Sequence, residues 1–388
     1  MSKKEETIFF RIEKENRPES SKKEEDENST EEMTTLNHAS VTLDHSAFAI
    51  ADKDGFKMYQ LNPLHFRMYK DYVIKVGPVR LVKQDGNSRR IIYVSALAGG
   101  RFAQNNLMIF DVARNEEYFE ITTPSRYGPI TNIHVSPNRL VALNPNRMFV
   151  WTYPDDIKQI RSEDIRSNPK GISAMSYDPT TAACYLAYPG FKTGSVQIMH
   201  LNALTARESK SPIVIEAHLT DIAQVALNCQ GTLVATGSTK GTVIRVFDAR
   251  TKGPLYELRR GTVQAHLQCM AFSPCSSYLA VASDKGTLHM FGIRDAEPQK
   301  KKNVLERSRG SSSIVKIQLD RPVMAIGFGK IPETPKNLQS IIAICADATY
   351  WRHEFYKDNT GNFTSHFGSY DELIEVANDS SFFRTPVE

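Results

Sequence analysis

From Val41 onward, apolar residues fall in short runs of β-branched and aromatic side chains, each closed by a polar turn and followed by another run. Alternation over about four to eight residues is the period of a half-buried strand, whereas the i, i+3, i+4 spacing of an amphipathic helix is hard to find. The pattern also repeats. Val234-Ala-Thr-Gly-Ser-Thr-Lys-Gly-Thr-Val matches Leu279-Ala-Val-Ala-Ser-Asp-Lys-Gly-Thr-Leu, 45 residues later. Fainter copies end alike, at Gly55-Phe-Lys-Met-Tyr, Asn106-Leu-Met-Ile-Phe, Arg147-Met-Phe-Val-Trp, Gly194-Ser-Val-Gln-Ile and Ala348-Thr-Tyr-Trp-Arg. Seven units, spaced mostly 41 to 51 residues with one longer gap between Gly286 and Ala348, predict an all-β, seven-bladed β-propeller of WD-like blades. A parallel α/β fold would need crossover helices of about ten or more residues, and none is visible. The strand at Val41–Ile50 is expected to precede the first complete blade and Ser365–Glu375 to follow the last. Pairing between those terminal strands would close the ring and remove its exposed edges.

Charge changes the picture at the N-terminus. Residues 3–32 carry seven basic and eleven acidic side chains, net −4, interspersed with Ser, Asn and Thr. Such a segment cannot bury enough apolar area to offset its ordering entropy. Residues 1–38 are therefore expected to be a disordered charged tail and residues 39–388 the propeller. The tail's one apolar island, Ile8-Phe9-Phe10-Arg11-Ile12, reads as an incidental cluster, with a short docking motif as the alternative. Since the whole chain is +4, the remainder is +8 by subtraction. The folded part is thus more basic than the whole-chain +4, itself a mild excess over a large surface where a polybasic nucleic-acid binder would need far more.

No apolar stretch approaches the roughly 20 residues that span a bilayer, and no secretory signal follows Met1. The five cysteines, Cys184, Cys229, Cys269, Cys275 and Cys345, include no Cys-x-x-Cys pair, so reduced thiols are expected and neither a disulfide nor a zinc framework. A soluble cytoplasmic protein is the expectation. Catalytic signatures are missing as well: Gly237-Ser-Thr-Lys-Gly lacks P-loop spacing, and there is no nucleophile elbow, zinc-protease helix or dinucleotide fingerprint. The ten histidines lack ligand spacing. The reading is of a protein that is not an enzyme and holds no metal or cofactor.

The most informative stretch is Glu257-Leu-Arg-Arg-Gly-Thr. Adjacent arginines on an extended segment point to opposite sides and so serve two places. The 45-residue match suggests which: the turns Ser238-Thr239-Lys240-Gly241-Thr242 and Ser283-Asp284-Lys285-Gly286-Thr287. Each offers hydroxyls, backbone N–H groups near a glycine, and a basic neighbour in Arg245 or His289. Arginine is a planar, bidentate, permanently charged donor suited to phosphate oxygens, so two equivalent anion pockets flanking one Arg pair is the specific hypothesis. The same residues would equally serve as ordinary hairpin turns, with Ala217-His218 and Ala265-His266 hydrogen-bonding within the fold.

Leu258-Arg259-Arg260-Gly261 resembles the Phe/Leu-Arg-Arg-Gly motif of the PROPPINs, β-propellers that bind polyphosphoinositides and include the WIPI proteins of autophagy. The likeness extends over nearly the whole folded chain, through Asn168-Pro-Lys-Gly, Tyr188-Pro-Gly-Phe-Lys, Ala217-His218, Gly241-Thr-Val-Ile-Arg-Val-Phe-Asp, Ser283-Asp-Lys-Gly-Thr-Leu-His and Ile341-Ile-Ala-Ile-Cys. The Leu variant and the Asn-Pro-Lys-Gly element are closer to the third and fourth WIPI paralogues than to the first two.

The resemblance implies two headgroup sites on the rim of blades five and six, for phosphatidylinositol 3-phosphate and the 3,5-bisphosphate. The first would take His218, Ser238, Thr239, Thr242, Arg245 and Arg259. The second would take Arg260, Ser283, Lys285, Thr287 and His289, with His266 nearby but lacking a counterpart. It further implies a monomeric peripheral adaptor recruited to preautophagosomal and endosomal membranes. The implied partner is the lipid-transfer protein of the second autophagy-related class, docked on the early blades where Asp44 matches an acidic docking residue. One departure stands out: the loop 294–313, which in many relatives is longer and apolar, is here short and basic. Lys300, Lys301, Lys302, Arg307 and Arg309 are expected to attract anionic lipid, at about 1 kcal/mol per basic residue, while Val304 and Leu305 add little insertion. The rival readings are a WD-type scaffold that binds only proteins, and a propeller enzyme with a base or metal in its channel.

Overall fold

The computed structural model describes residues 35–61, 68–86, 90–203, 212–293, 311–330, 339–358 and 363–373. Among these residues the alternating runs pair with their immediate sequence neighbours into seven four-stranded antiparallel sheets. The blades span 38–74, 79–122, 132–164, 174–216, 222–259, 267–318 and 323–372. Position within a blade explains the residue pattern. Second strands lie between neighbouring blades on both faces, so they read as continuous apolar runs: Ala47–Ala51 and Tyr278–Ser283 are buried almost throughout. Outer strands such as Glu116–Thr122 keep one face in water and stay polar.

The core is divided into seven layers, one between each pair of adjacent blades. Between blades five and six, Ala235, Ile244, Val246 and Leu258 pack on Leu279, Val281 and Phe291. A sheet this short is stable only because each face is covered by the next blade.

Closure differs from the expectation. Among the described residues no strand is exchanged between the first and last blades: 38–41 and 47–51 are the first two strands of blade one itself, and Phe363–Glu372 is the outer strand of blade seven. The run Val41–Ile50 is therefore not a single strand before the first blade. Thr42 and Ala47 close a turn within it, Thr42 N–H donating to Ala47 O at 2.9 Å. The ring closes instead by packing. Phe48 stacks between Tyr59 at 4.7 Å and Tyr350 of blade seven at 5.9 Å, and the Tyr59 hydroxyl donates to Leu373 O at 2.8 Å. Leu36, which the sequence reading left in the tail, is buried in this seam and donates its N–H to Ala346 O at 2.8 Å. On the same seam the Phe328 N–H donates to His45 Nδ1 at 3.0 Å.

Candidate functional site

The two Lys-Gly turns are fixed by backbone packing. Gly241 and Gly286 adopt left-handed φ values of 62° and 65°, and their N–H groups donate back to Ser238 O at 2.8 Å and Ser283 O at 3.2 Å. A Cβ on Gly241 would lie 1.9 Å from the Ala265 carbonyl oxygen, and one on Gly286 would lie 2.7 Å from Asp320 Cα. Conformation and close approach both demand glycine there.

Strand alternation then sorts the side chains. In blade five, Val234 and Phe247 pack toward blade four, while Ala235, Val246 and Leu258 pack toward blade six. Thr236 and Ser238 share the face of Val234, and Arg245 shares that of Phe247. Glu257 and Arg259, flanking Leu258, lie on that same blade-four side. Arg260 returns to the blade-six side. There Ser283, Thr287 and His289 share the face of Val281, which packs on blade five. The Arg pair is divided between two crevices, as alternation requires.

In the first crevice His218 Nε2 donates to Thr236 O at 3.2 Å and lies 3.0 Å from its hydroxyl. Burial pushes the His218 pKa down to about 4, the bond to Thr236 opposing and the Arg245 charge assisting, so the ring is neutral at pH 7. Arg245 donates from Nη1 to Ala217 O at 2.8 Å and from Nε to Glu257 Oε2 at 3.1 Å. Arg259 anchors through its backbone, N–H to Ser311 O at 2.8 Å. Ser238 is buried, and Thr239 is exposed on the turn. An anion here would compete for Arg245 with Glu257, whose pairing with that arginine the sequence did not reveal.

The second crevice is more enclosed and more basic. Arg260 is 7% exposed. It donates from Nε to Gly241 O at 2.8 Å and from Nη2 to Val263 O, clamping the blade-five turn. Of the five guanidinium N–H groups, three have no partner among the described residues. Ser283 is 1% exposed and its hydroxyl has no partner among the described residues. Thr287 donates its hydroxyl to Lys285 O at 3.2 Å, and His289 Nδ1 lies 3.3 Å from Ser313 Oγ. Burial, reinforced by the Arg260 and Lys316 charges, pushes the His289 pKa down to about 4. Lys316 stands opposite His289 across the sheet. It follows the long blade-six loop and belongs to no motif, so only the strand register could have found it. Lys285 is exposed. Asp284 caps the His266 N–H at 3.0 Å and lends Arg260 a counter-charge.

The pockets are not equivalent, contrary to the sequence match. In blade five Gly237 pairs with Ile244 and Thr236 with Arg245, whereas in blade six Ser283 pairs with Thr287 and Val281 with His289. The blade-five turn is one residue longer. Continuing its ladder sets Val243 opposite Ser238, in the place Thr287 holds in blade six. Thr242 is left in the turn, where its carbonyl accepts the Arg260 N–H at 3.0 Å and the Gly261 N–H at 3.3 Å.

Lys300, Lys301, Lys302, Val304, Leu305, Arg307 and Arg309 lie outside the described residues. Asp44 is exposed in the turn between the first two strands of blade one, where its carboxylate accepts the Ser46 hydroxyl at 2.8 Å. No group of three or more His, Cys, Asp or Glu able to hold a metal occurs among the described residues, and no helix among them is long and apolar enough to cross a membrane.

The fold is thus a seven-bladed propeller whose adjacent Arg259 and Arg260 are divided between the two flanks of blade five. The family model for PROPPIN matches residues 35–316, and the chain belongs to the PROPPIN family. It is 30% identical over 271 residues to SVP1-like protein 2 of Pichia angusta, covering 69% of this chain and 72% of that relative. Among solved structures, Kluyveromyces lactis Hsv2 superposes with a TM-score of 0.69 at 19% identity, covering 88% of this chain and 99% of that one. A complex of KlAtg21 with the coiled-coil of AgAtg16 gives a TM-score of 0.66 at 18% identity, covering 87% of this chain and 99% of that one.

Proposed function

We propose that this PROPPIN is a non-enzymatic peripheral membrane adaptor that binds phosphatidylinositol 3-phosphate and phosphatidylinositol 3,5-bisphosphate through its two rim crevices. The observation that carries this reading is the second crevice. A buried hydroxyl on Ser283 lacks a partner among the described residues, on the face it shares with His289, and the Arg260 and Lys316 charges act on that imidazole. A buried unsatisfied donor is costly, and an incoming phosphate oxygen supplies what it lacks. His218, Ser238, Thr239, Arg245 and Arg259 would hold the other headgroup, with Thr242 contributing from its turn. On one membrane the two weak sites act together, because the second headgroup binds at high effective concentration. The basic blade-six loop would add long-range attraction to an anionic surface.

The adaptor role needs a protein partner on the early blades. The autophagy lipid-transfer protein of the second autophagy-related class fits that role, and Asp44 is exposed on a turn of blade one where it could be reached. A cleft of about 360 Å³ between blades two and three, lined by Asp85, Arg90, Asp111, Arg114 and Asp155, offers both charge signs to such a partner. Recruitment would take a cytoplasmic protein to preautophagosomal and endosomal membranes.

The test is vesicle flotation across a phosphoinositide panel with Arg259→Thr/Arg260→Thr. Because Arg260 also clamps the turn, a second variant, Lys285→Ala/Thr287→Val, probes the pocket without touching that clamp. Loss of selective flotation in both, with near-UV circular dichroism unchanged, supports the reading. Flotation indifferent to phosphoinositide content would refute it and leave a protein-only scaffold.

A further inference from the structure

The first strands of all seven blades enclose a channel of about 300 Å³. Its described lining contains no aspartate or glutamate. Beside hydroxyl and apolar side chains it carries the basic or amide-bearing His38, His45, Lys83, His134, Asn132, Gln224 and Gln268. Lys83 has no carboxylate or hydrogen-bond acceptor among the described residues. Burial lowers its pKa to about 8, so at neutral pH the ammonium is still charged. Burial first, and then neighbouring positive charge, pushes both imidazoles down to about 3: Lys83 and Arg80 act on His38, Lys83 and His38 on His134. A cation enclosed by protein without a counter-ion is costly, and the two imidazoles beside it, neutral at this pH, supply no counter-charge.

The channel has an entrance. A second cavity of about 570 Å³ shares the Asn132, Ser173 and Gln224 walls and is bounded by the turn Asn168-Pro169-Lys170-Gly171. That turn is firmly held. Asn168 Oδ1 accepts the Ile172 N–H at 2.8 Å while Nδ2 donates to Ile172 O at 2.9 Å, and a Cβ on left-handed Gly171 would lie 2.4 Å from Thr131 O. It leaves Lys170 exposed at the rim. Asp221, the carboxylate in this cavity, is already paired with Arg166 at 2.6 Å. At the junction, Ser173 donates to Gly171 O at 2.9 Å and receives His134 Nε2 at 2.8 Å and Asn132 Nδ2 at 3.1 Å. The path therefore runs from an exposed lysine, past amide and imidazole donors, to an unpaired ammonium.

We propose that the central channel is a binding site for a small oxyanion of the phosphate or phosphomonoester class, seated against Lys83 and admitted past the 168–171 turn. The site is separate from the rim crevices and does not depend on their function.

Inorganic phosphate is the probe, followed by 31P line broadening on the full-length protein in a buffer free of other multivalent anions. Arg259→Thr/Arg260→Thr should retain saturable phosphate binding, because the channel is untouched. Adding Lys83→Met to that background should weaken it about tenfold or more, the loss expected for a charge-assisted bond, and Lys83→Arg should keep most of it. Phosphate should also protect Lys83 from amine acylation, read by mass spectrometry in the Arg259/Arg260 background, which keeps the test decisive should the Met variant not fold. Undiminished binding in the Met variant, loss of all binding with the Arg pair, or absence of Lys83 protection would overturn the proposal. Phosphatidylinositol 3-phosphate vesicles separate the two sources of phosphate: a free anion leaves flotation of Lys83→Met at the wild-type level, and a headgroup in the channel lowers it.

Discussion

Arg260 is expected to hold the fold as well as the ligand, and Arg260→Thr separates the two roles. Its guanidinium donates to Gly241 O and Val263 O from a position 7% exposed. Hydrogen bonds from a charged donor contribute about 1.5–3 kcal/mol each. Val263 is exposed, so water can replace part of one bond. The expected loss is about 2–4 kcal/mol of unfolding free energy. Arg259→Thr, on the more open blade-four side, should lose less, and Arg260→Lys should fall between. Equilibrium urea unfolding followed by the fluorescence of Trp151 and Trp351 gives the midpoints, with vesicle flotation measured on the same samples under folding conditions. If Arg260→Thr unfolds at the wild-type midpoint, the guanidinium does not clamp the turn. All five of its N–H groups would then have to be counted as ligand donors.

Phe48→Ala removes the ring stacked between Tyr59 and Tyr350 and should cost about 3–5 kcal/mol, with proteolytic nicking appearing first near blades one and seven. His45 accepts the Phe328 N–H only when neutral, and burial holds its pKa down to about 4, below the ordinary 6.5. The unfolded chain therefore binds the proton more readily, so this stabilisation is complete above pH 6.5 and fades as pH falls toward 4. Thermal unfolding of His45→Asn should show a shallower pH slope across that window. Gly286→Ala, which forces a Cβ against Asp320, should lower both stability and flotation. Replacing Lys300, Lys301 and Lys302 by Gln should flatten the salt dependence of vesicle association and leave phosphoinositide selectivity intact. A steep residual salt slope would put the attraction elsewhere.

The blades were legible because a strand covered on both faces announces itself as an unbroken apolar run, and the Lys-Gly turns mark where such runs reverse. Division of the Arg pair followed from the two-residue period of an extended chain. Closure was not legible: Phe48, Tyr59 and Tyr350 look like any buried aromatics, and only their position in space makes them a seam. The inequivalence of the crevices escaped for a related reason. Aligning Lys-Gly-Thr with Lys-Gly-Thr is natural, yet the one-residue difference in turn length resides in the pairing of Gly237 with Ile244, which leaves no trace in composition. Glu257 and Lys316 were hidden likewise, since each matters through the residue across from it.

A ring fastened by side chains and not by a shared strand has an order of assembly written into it. Every blade draws its four strands from one contiguous stretch, so each can form while the ribosome is still supplying the next. The fastening cannot: the hydrogen bond from Tyr59 to Leu373 bridges 314 positions, so blade one must wait, with one flank uncovered, until blade seven has emerged. That waiting flank carries Phe48, Ile50 and Tyr59, the surface most in need of protection in a nascent chain. It also means that the seam is a place in the circle and not a distinct architecture. Linking blade seven to blade one and opening the chain between blades three and four should yield the same ring, with a different blade left waiting.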